Sequence, residues 1–210
     1  MKSIKKKLAL AAKKILKLGL NIGSEGNLSY RDKDVIYITP SGVETNKLDE
    51  NKISEVDIKG KVINGIKPSS EIFLHLSIYK DFKEINSIVH CHSTWSSILS
   101  CQRTKIPSFH YMVAEFGGKD IRCSEYATFG TKQLAKNVLE AIKDREGCLI
   151  ANHGQITIGK SIDYTINLAN ALEKLSKQYF FCKLTKDTKI LDFKEMNKVL
   201  KLFKNYKLKH

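Results

Sequence analysis

Ile4, Leu8, Ala11, Ile15 and Leu18 recur at steps of four and three, the period that turns one face of an α-helix inward, and lysines fill the other face. Gly19 and Gly23 break this helix. Asn27–Tyr30 and Val35–Ile38 then read as strands about a turn at Asp32-Lys33-Asp34, and a second hairpin is predicted across Lys59-Gly60. Pro68-Ser69-Ser70-Glu71 opens a helix that runs through Phe73, Leu74, Ile78 and Tyr79. Further along, Ile85–Cys91 reads as a buried strand, Ser93–Ser100 as a short helix, Ser108–Val113 as a strand and Thr131–Ile142 as a helix. Cys148–Ala151 and Gln155–Ile158 are predicted strands around Asn152-His153-Gly154, and a long helix runs from Ile162 to about Leu184. Hairpins outnumber β-helix-β units, which predicts an α/β protein with a largely antiparallel sheet covered by helices. With no repeat, linker or low-complexity stretch, residues 1–210 read as one domain whose basic, helical tail starts at about 185.

Composition adds boundaries to this outline. An apolar content of 42% excludes disorder, and no apolar run approaches the roughly 18 residues of a membrane span. Lys13-Lys14 stops the first apolar segment after five residues, short of the roughly 7–15 of a secretory signal. Five cysteines without a C-x-x-C pair imply neither a disulfide framework nor a zinc knuckle, and the cytoplasm is the expected compartment. The net charge of +14 suggests a polyanion as partner until it is mapped. Residues 1–20 hold seven lysines and no acid, and residues 183–210 hold nine lysines and three acids, so the ends carry +13 and the middle is almost neutral. Only four of the 36 basic residues are Arg, and no lysine stripe alternates with aromatics, so neither nucleic acid nor membrane is an expected partner.

The candidate chemistry lies in that neutral middle. His90-Cys91-His92 ends a strand pattern, and the two-residue period puts both imidazoles on one face, where they can share one ion. His153 sits in a tight turn between strands. Three imidazoles with an open position describe a catalytic divalent-metal site, although an H-x-H triplet also arises by chance and a buried His is more often a hydrogen-bonded core residue. Glu71, behind two serines at a helix start, is either a partner for the helix dipole or a carboxylate delivered to a cleft. Three loops combine hydroxyls with glycine or a helix start, as phosphate sites do: Gly23-Ser24-Glu25-Gly26-Asn27, Thr39-Pro40-Ser41-Gly42 and Pro68-Ser69-Ser70. Each is also explicable as a cap or a turn.

Gly26-Asn27-Leu28-Ser29, Thr39-Pro40-Ser41-Gly42, Pro68-Ser69-Ser70-Glu71, His90-Cys91-His92 and Asn152-His153-Gly154, in this order, resemble the class II aldolase/adducin family from about Leu18 to Leu184. Further stretches resemble its members that act on L-fuculose 1-phosphate: Ile106–Met112, Gly117-Gly118, Tyr126–Thr131 and Phe203–Tyr206. The resemblance implies a three-layer α/β/α fold, a ring-shaped homotetramer, and one Zn²⁺ or another divalent ion per subunit. It makes His90, His92, His153 and resting-state Glu71 the metal ligands, with Glu71 as acid/base. Ser24, Asn27, Ser41, Gly42, Ser69 and Ser70 would hold a sugar phosphate. Tyr111 would reach a neighbouring subunit's site as proton donor, and Phe129, Phe203 and Tyr206 would line the aldehyde side. The implied reaction is cleavage of a ketose 1-phosphate to dihydroxyacetone phosphate and a short aldehyde. Without a Schiff-base lysine that chemistry needs a Lewis acid, and none of the 32 lysines lies in an apolar setting that would lower its pKa as the Schiff-base route needs. Within the family, cleavage or dehydration of 5-methylthioribulose or 5-deoxyribulose 1-phosphate, 4-epimerisation of ribulose 5-phosphate and an adducin-like structural role are the alternatives. Persistence of the three histidines and Glu71 argues against the last.

Overall fold

In the computed structural model, residues 3–185 and 187–209 are described, with side chains as far as Asn205. Helix α1 (Ile4–Lys17) starts where Ser3 Oγ accepts from the Lys6 N–H, and it buries Leu8, Ala11, Ala12 and Ile15. Leu18 is the exception to the sequence pattern: it falls on the cap and is exposed. Two hairpins follow, β1 (Asn27–Asp32) with β2 (Val35–Ile38) and β3 (Ser54–Asp57) with β4 (Val62–Asn64). Next come α2 (Ile72–Asp81), β5 (Ser87–Cys91), α3 (Thr94–Cys101), β6 (Cys123–Ser124), α4 (Lys132–Ile142), β7 (Gly147–Ile150) and β8 (Gly154–Gly159). Helices α5 (Ile162–Thr185) and α6 (Phe193–Lys209) complete the chain.

The strands form one eight-stranded sheet in the order β4-β3-β2-β1-β5-β8-β7-β6. Every pairing is antiparallel except β6 with β7, so the sheet is mixed, and the single-domain α/β class holds. Two-residue β6 is too short to show in an apolar pattern. Strand β5 is buried along its whole length, and its neighbouring residues divide the core. Ile88 joins the cluster built from α2 and α4, whereas Val89 and Cys91 join the one built from α1 and α5.

One expected strand is absent. Ser108–Val113 alternates polar and apolar residues, yet Tyr111–Phe116 is a 3-10 helix. His110 Nδ1 accepts from the Met112 N–H at 3.1 Å, and Gly117 ends the turn in the left-handed region at φ +87°. Ser108 bonds instead to Leu191 just ahead of α6, and the fully buried Met196 of that helix packs in one cluster with Val113 and Phe116. Phe193–Lys209 of the basic tail thus forms a helix with one face folded into the core, whereas residues 187–192 ahead of it are not helical. Among the described residues, no helix is long and apolar enough to cross a membrane.

Candidate active site

Strand register gathers the first components. Asn27, at the start of β1, pairs with His90 near the end of β5, and Cys91 pairs with Gln155 in β8. His92 lies just past β5, where its N–H donates to the Asn21 side-chain oxygen at 2.9 Å. His153 comes from the β7–β8 turn. There Asn152 takes φ +53°, a conformation Asn tolerates, and accepts from Arg103 Nε at 2.7 Å. A Cβ on Gly154 would stand 2.3 Å from the Cys91 carbonyl oxygen, so glycine lets this turn close against β5. Glu71 occupies the N-cap position of α2 but makes no side-chain cap bond. Of the two readings open to Glu71, the fold realises delivery of a carboxylate into a cleft.

Four side chains converge there. His90 Nε2 is 3.0 Å from His92 Nε2 and 3.2 Å from His153 Nε2. Glu71 places Oε2 3.1 Å from His90 Nε2 and Oε1 3.7 Å from His153 Nε2. His90 Nδ1 lies 2.8 Å from the Gln155 carbonyl oxygen, which can only accept, so Nδ1 carries a hydrogen and Nε2 is the nitrogen turned toward the cluster; burial works against the charged ring, but Glu71 outweighs it and the net shift is upward. Burial pushes His92 down to about 3 and His153 to about 4, so both rings are neutral at pH 7. Burial opposes ionisation of Glu71, but the His90 and His153 rings and the Asn27 amide overcome it and hold the carboxyl well below its usual range.

The donor set fits a divalent cation. Glu71 Oε1 is buried without a hydrogen-bond partner, and all four ligand atoms lie within 4.8 Å of one another. Lone pairs converging at such distances repel one another unless hydrogens or a cation lie between them, and three imidazoles with a carboxylate suit Zn²⁺ or a related ion.

A cavity of about 390 Å³ opens over this cluster. His92, His153 and Glu71 line it, together with residues from all three polar loops: Ser24, Gly26 and Asn27; Pro40, Ser41 and Gly42; Ser69 and Ser70. Two of these loops are tied to each other, because the Ser41 N–H donates to the Lys67 carbonyl and the Ser69 N–H to the Thr39 carbonyl, each at 3.1 Å. Tyr126, Ala127 and Phe129 add an apolar part to the lining, which among the described residues contains no Lys or Arg. Tyr111, half-exposed and stacked on His110, and Phe203, packed against the cluster around Val113 and Met196, do not line this cavity. The side chain of Tyr206 lies outside the described residues. Sequence reading missed Asn21, which holds the His92 backbone, and the wall residue Tyr126 appeared there only within a motif. It also left His75 without a role, although the four-residue step from Glu71 puts the two on one helix face.

The family model for the class II aldolase and adducin N-terminal domain matches residues 6–180. A 5-methylthioribulose-1-phosphate/5-deoxyribulose-1-phosphate aldolase of Rhodospirillum rubrum is 42% identical over 93% of this chain and 89% of its own length. The L-fuculose phosphate aldolase of Escherichia coli is 37% identical over 92% of this chain and 90% of its own. A solved L-fuculose 1-phosphate aldolase superposes with a TM-score of 0.92 at 37% identity, covering 97% of this chain and 98% of that one.

Proposed function

Because the chain belongs to the class II aldolase and adducin family, we propose that it is a metal-dependent aldolase that reversibly cleaves a ketose 1-phosphate of the L-fuculose 1-phosphate type. The products are dihydroxyacetone phosphate and a short aldehyde such as L-lactaldehyde. One observation carries this reading: the Glu71/His90/His92/His153 cluster and all three hydroxyl-rich loops line or underlie the same cavity.

His90, His92, His153 and resting Glu71 would hold the ion, for which Zn²⁺ is the first choice. A divalent ion so held supplies Lewis-acid stabilisation of the negative charge left on the ketone half when C3–C4 breaks. Glu71, with Oε1 uncommitted, carries the proton to and from C3. Hydroxyls of Ser24, Ser41, Ser69 and Ser70, the Gly42 backbone and the Asn27 amide hold the phosphate, fixing the substrate from a point remote from the reacting bond. Phe129 and Tyr126 shield the aldehyde end from water. Tyr111 of a neighbouring copy acts as proton donor to the aldehyde oxygen, in a ring-shaped homotetramer of three-layer α/β/α subunits located in the cytoplasm. Phe203 and Tyr206 close the same side.

A second substrate has specific support. The 42% identical relative is named for 5-methylthioribulose and 5-deoxyribulose 1-phosphates, whose aldehyde halves end in an apolar group that suits the Tyr126–Phe129 wall. Both readings are separated by one assay. L-Fuculose, 5-methylthioribulose and ribulose 1-phosphates and ribulose 5-phosphate are offered with and without a chelator, and the products are identified. The expected result is dihydroxyacetone phosphate from 1-phosphates only, lost with chelator and restored by Zn²⁺. Full activity of metal-free protein, or turnover of the 5-phosphate alone, would overturn the proposal.

A further inference from the structure

His75 is fully buried on α2 and belongs neither to the ligand set nor to the cavity lining, yet both its ring nitrogens are engaged at short distance. Nε2 is 2.5 Å from Asn27 Oδ1, and Nδ1 is 2.6 Å from Ser29 Oγ. Beyond Ser29, the hydroxyl of fully buried Tyr79 lies 2.8 Å from the same Oγ. On the other side, Asn27 Nδ2 donates to Glu71 Oε2 at 2.9 Å.

With Glu71 ionised and the His75 ring neutral, one arrangement of hydrogens satisfies every contact in this chain. An ionised Glu71 only accepts, so the Asn27 nitrogen faces it and the Asn27 oxygen faces His75. His75 Nε2 must then carry the hydrogen. Ser29 Oγ stands 2.6 Å from Nδ1, and burial of the ring favours its neutral form, in which Nδ1 accepts from Ser29. The Ser29 hydrogen being used, its 2.8 Å contact with Tyr79 is filled by the Tyr79 hydrogen, whose other acceptor, the Asn86 carbonyl, is farther away at 3.2 Å. The donors therefore run one way, from Tyr79 through Ser29, His75 and Asn27 to Glu71, and each polarises the next.

We infer that His75 is a positioning residue for Glu71, acting through Asn27: it locks the Asn27 amide so that one N–H restrains Glu71 Oε2 while the other remains for a substrate anion in the cavity. Asn27 thereby links phosphate binding to the placement of the acid/base, and Glu71 Oε1 is left to face the histidine cluster. The inference rests on the aldolase reading for its kinetic consequence and on the hydrogen-bond geometry and burial of His75 for the hydrogen on its ring.

Two measurements test it. Nitrogen-15 NMR of histidine-labelled wild-type protein at pH 7 should show a hydrogen on His75 Nε2, and a ring bare at Nε2, the Nδ1–H tautomer, would overturn the inference whatever the enzyme acts on. In kinetics, His75→Leu should lower the rate of proton exchange at C3 of dihydroxyacetone phosphate by about 10- to 100-fold with bound metal retained, the scale for outer-shell partners. His75→Gln, which can present an N–H where Nε2 stood, should recover most of that loss. Equal loss in both variants, or no loss in either, would remove His75 from the role. Absence of exchange in the wild-type protein would instead count against the aldolase reading, while the tautomer result would still decide the hydrogen-bond chain.

Discussion

Glu71 combines burial, one hydrogen-bonded oxygen and one without a hydrogen bond. Only 5% of the residue is exposed, Oε2 is bonded to Asn27, and Oε1 has no hydrogen-bond partner. Such a group is costly to keep for structure alone, since an unsatisfied buried polar atom loses about 1–3 kcal/mol. Glu71→Gln should keep the fold and most of the bound metal, yet reduce C3 proton exchange by about 10²- to 10⁴-fold. Exchange at the wild-type rate would take Glu71 out of the acid/base role. Gly118 shows how local a motif's meaning is. A Cβ there would fall 2.0 Å from the Arg145 Cζ, because the guanidinium lies across it to reach the Asp120 carboxylate at 3.0 Å. Burial raises the Asp120 carboxyl, but hydrogen bonds from Arg145 and Lys105 outweigh it and the net shift is downward. A carboxyl depressed in the folded state stabilises the protein above its unfolded pKa and loses that contribution as pH falls through the folded value. Asp120→Asn should therefore lower the melting temperature at pH 7, with the deficit vanishing well below the ordinary carboxylate pKa of about 3.9. A deficit independent of pH would show that charge is not its cause.

At the scale of elements, α3 and β8 are set by a residue far away in the chain. Ser93 makes no cap bond of its own to α3. Glu173 on α5 accepts from the Trp95 and Ser96 N–H groups at 2.8 and 2.9 Å and from the Ser93 and Ser96 hydroxyls at 2.6 and 2.9 Å. The Gln155 amide then donates to Ser93 Oγ at 2.7 Å, while the Gln155 carbonyl orients His90. Glu173→Ala should cost about 2 kcal/mol in denaturant unfolding, because it strands buried donors and removes a carboxylate from a helix N-terminus. A change under about 0.5 kcal/mol would mean water replaces it. The hairpins, α2, α4 and α5 were legible from period and turn residues, since each is specified by neighbours in sequence. The 3-10 helix at Tyr111–Phe116 was not, because its conformation answers to His110, Gly117 and the packing of α6.

For the whole molecule, charge and site are separate. Among the described residues, no Lys or Arg lines the cavity, although the chain carries +14. An anion held by hydroxyls and amide N–H groups should show a KM that rises only about threefold from low to high salt, since the terminal lysines act through screened, long-range attraction. A steep salt dependence would point to lysines as direct ligands. Assembly is testable in the same spirit. Tyr111 lies outside its own chain's cavity, so a site shared between copies would need Glu71 from one and Tyr111 from the next. Equal mixing of Glu71→Gln and Tyr111→Phe subunits, each poorly active in cleavage, should then restore about a quarter of the wild-type sites. No recovery after verified subunit exchange would place the whole site within one chain. The long helices and the hairpins, the near-neutral middle, the histidine triplet spacing and the three hydroxyl-rich loops could be read along the chain, because periodicity, turn chemistry and composition are local properties. The meeting of Asn27, Glu71, His90, His92 and His153, with His75 behind them, comes from the packed fold. Those contacts depend on the register of β1, β5 and β8 and on the start of α2 facing that sheet edge, both set by burial across the entire core.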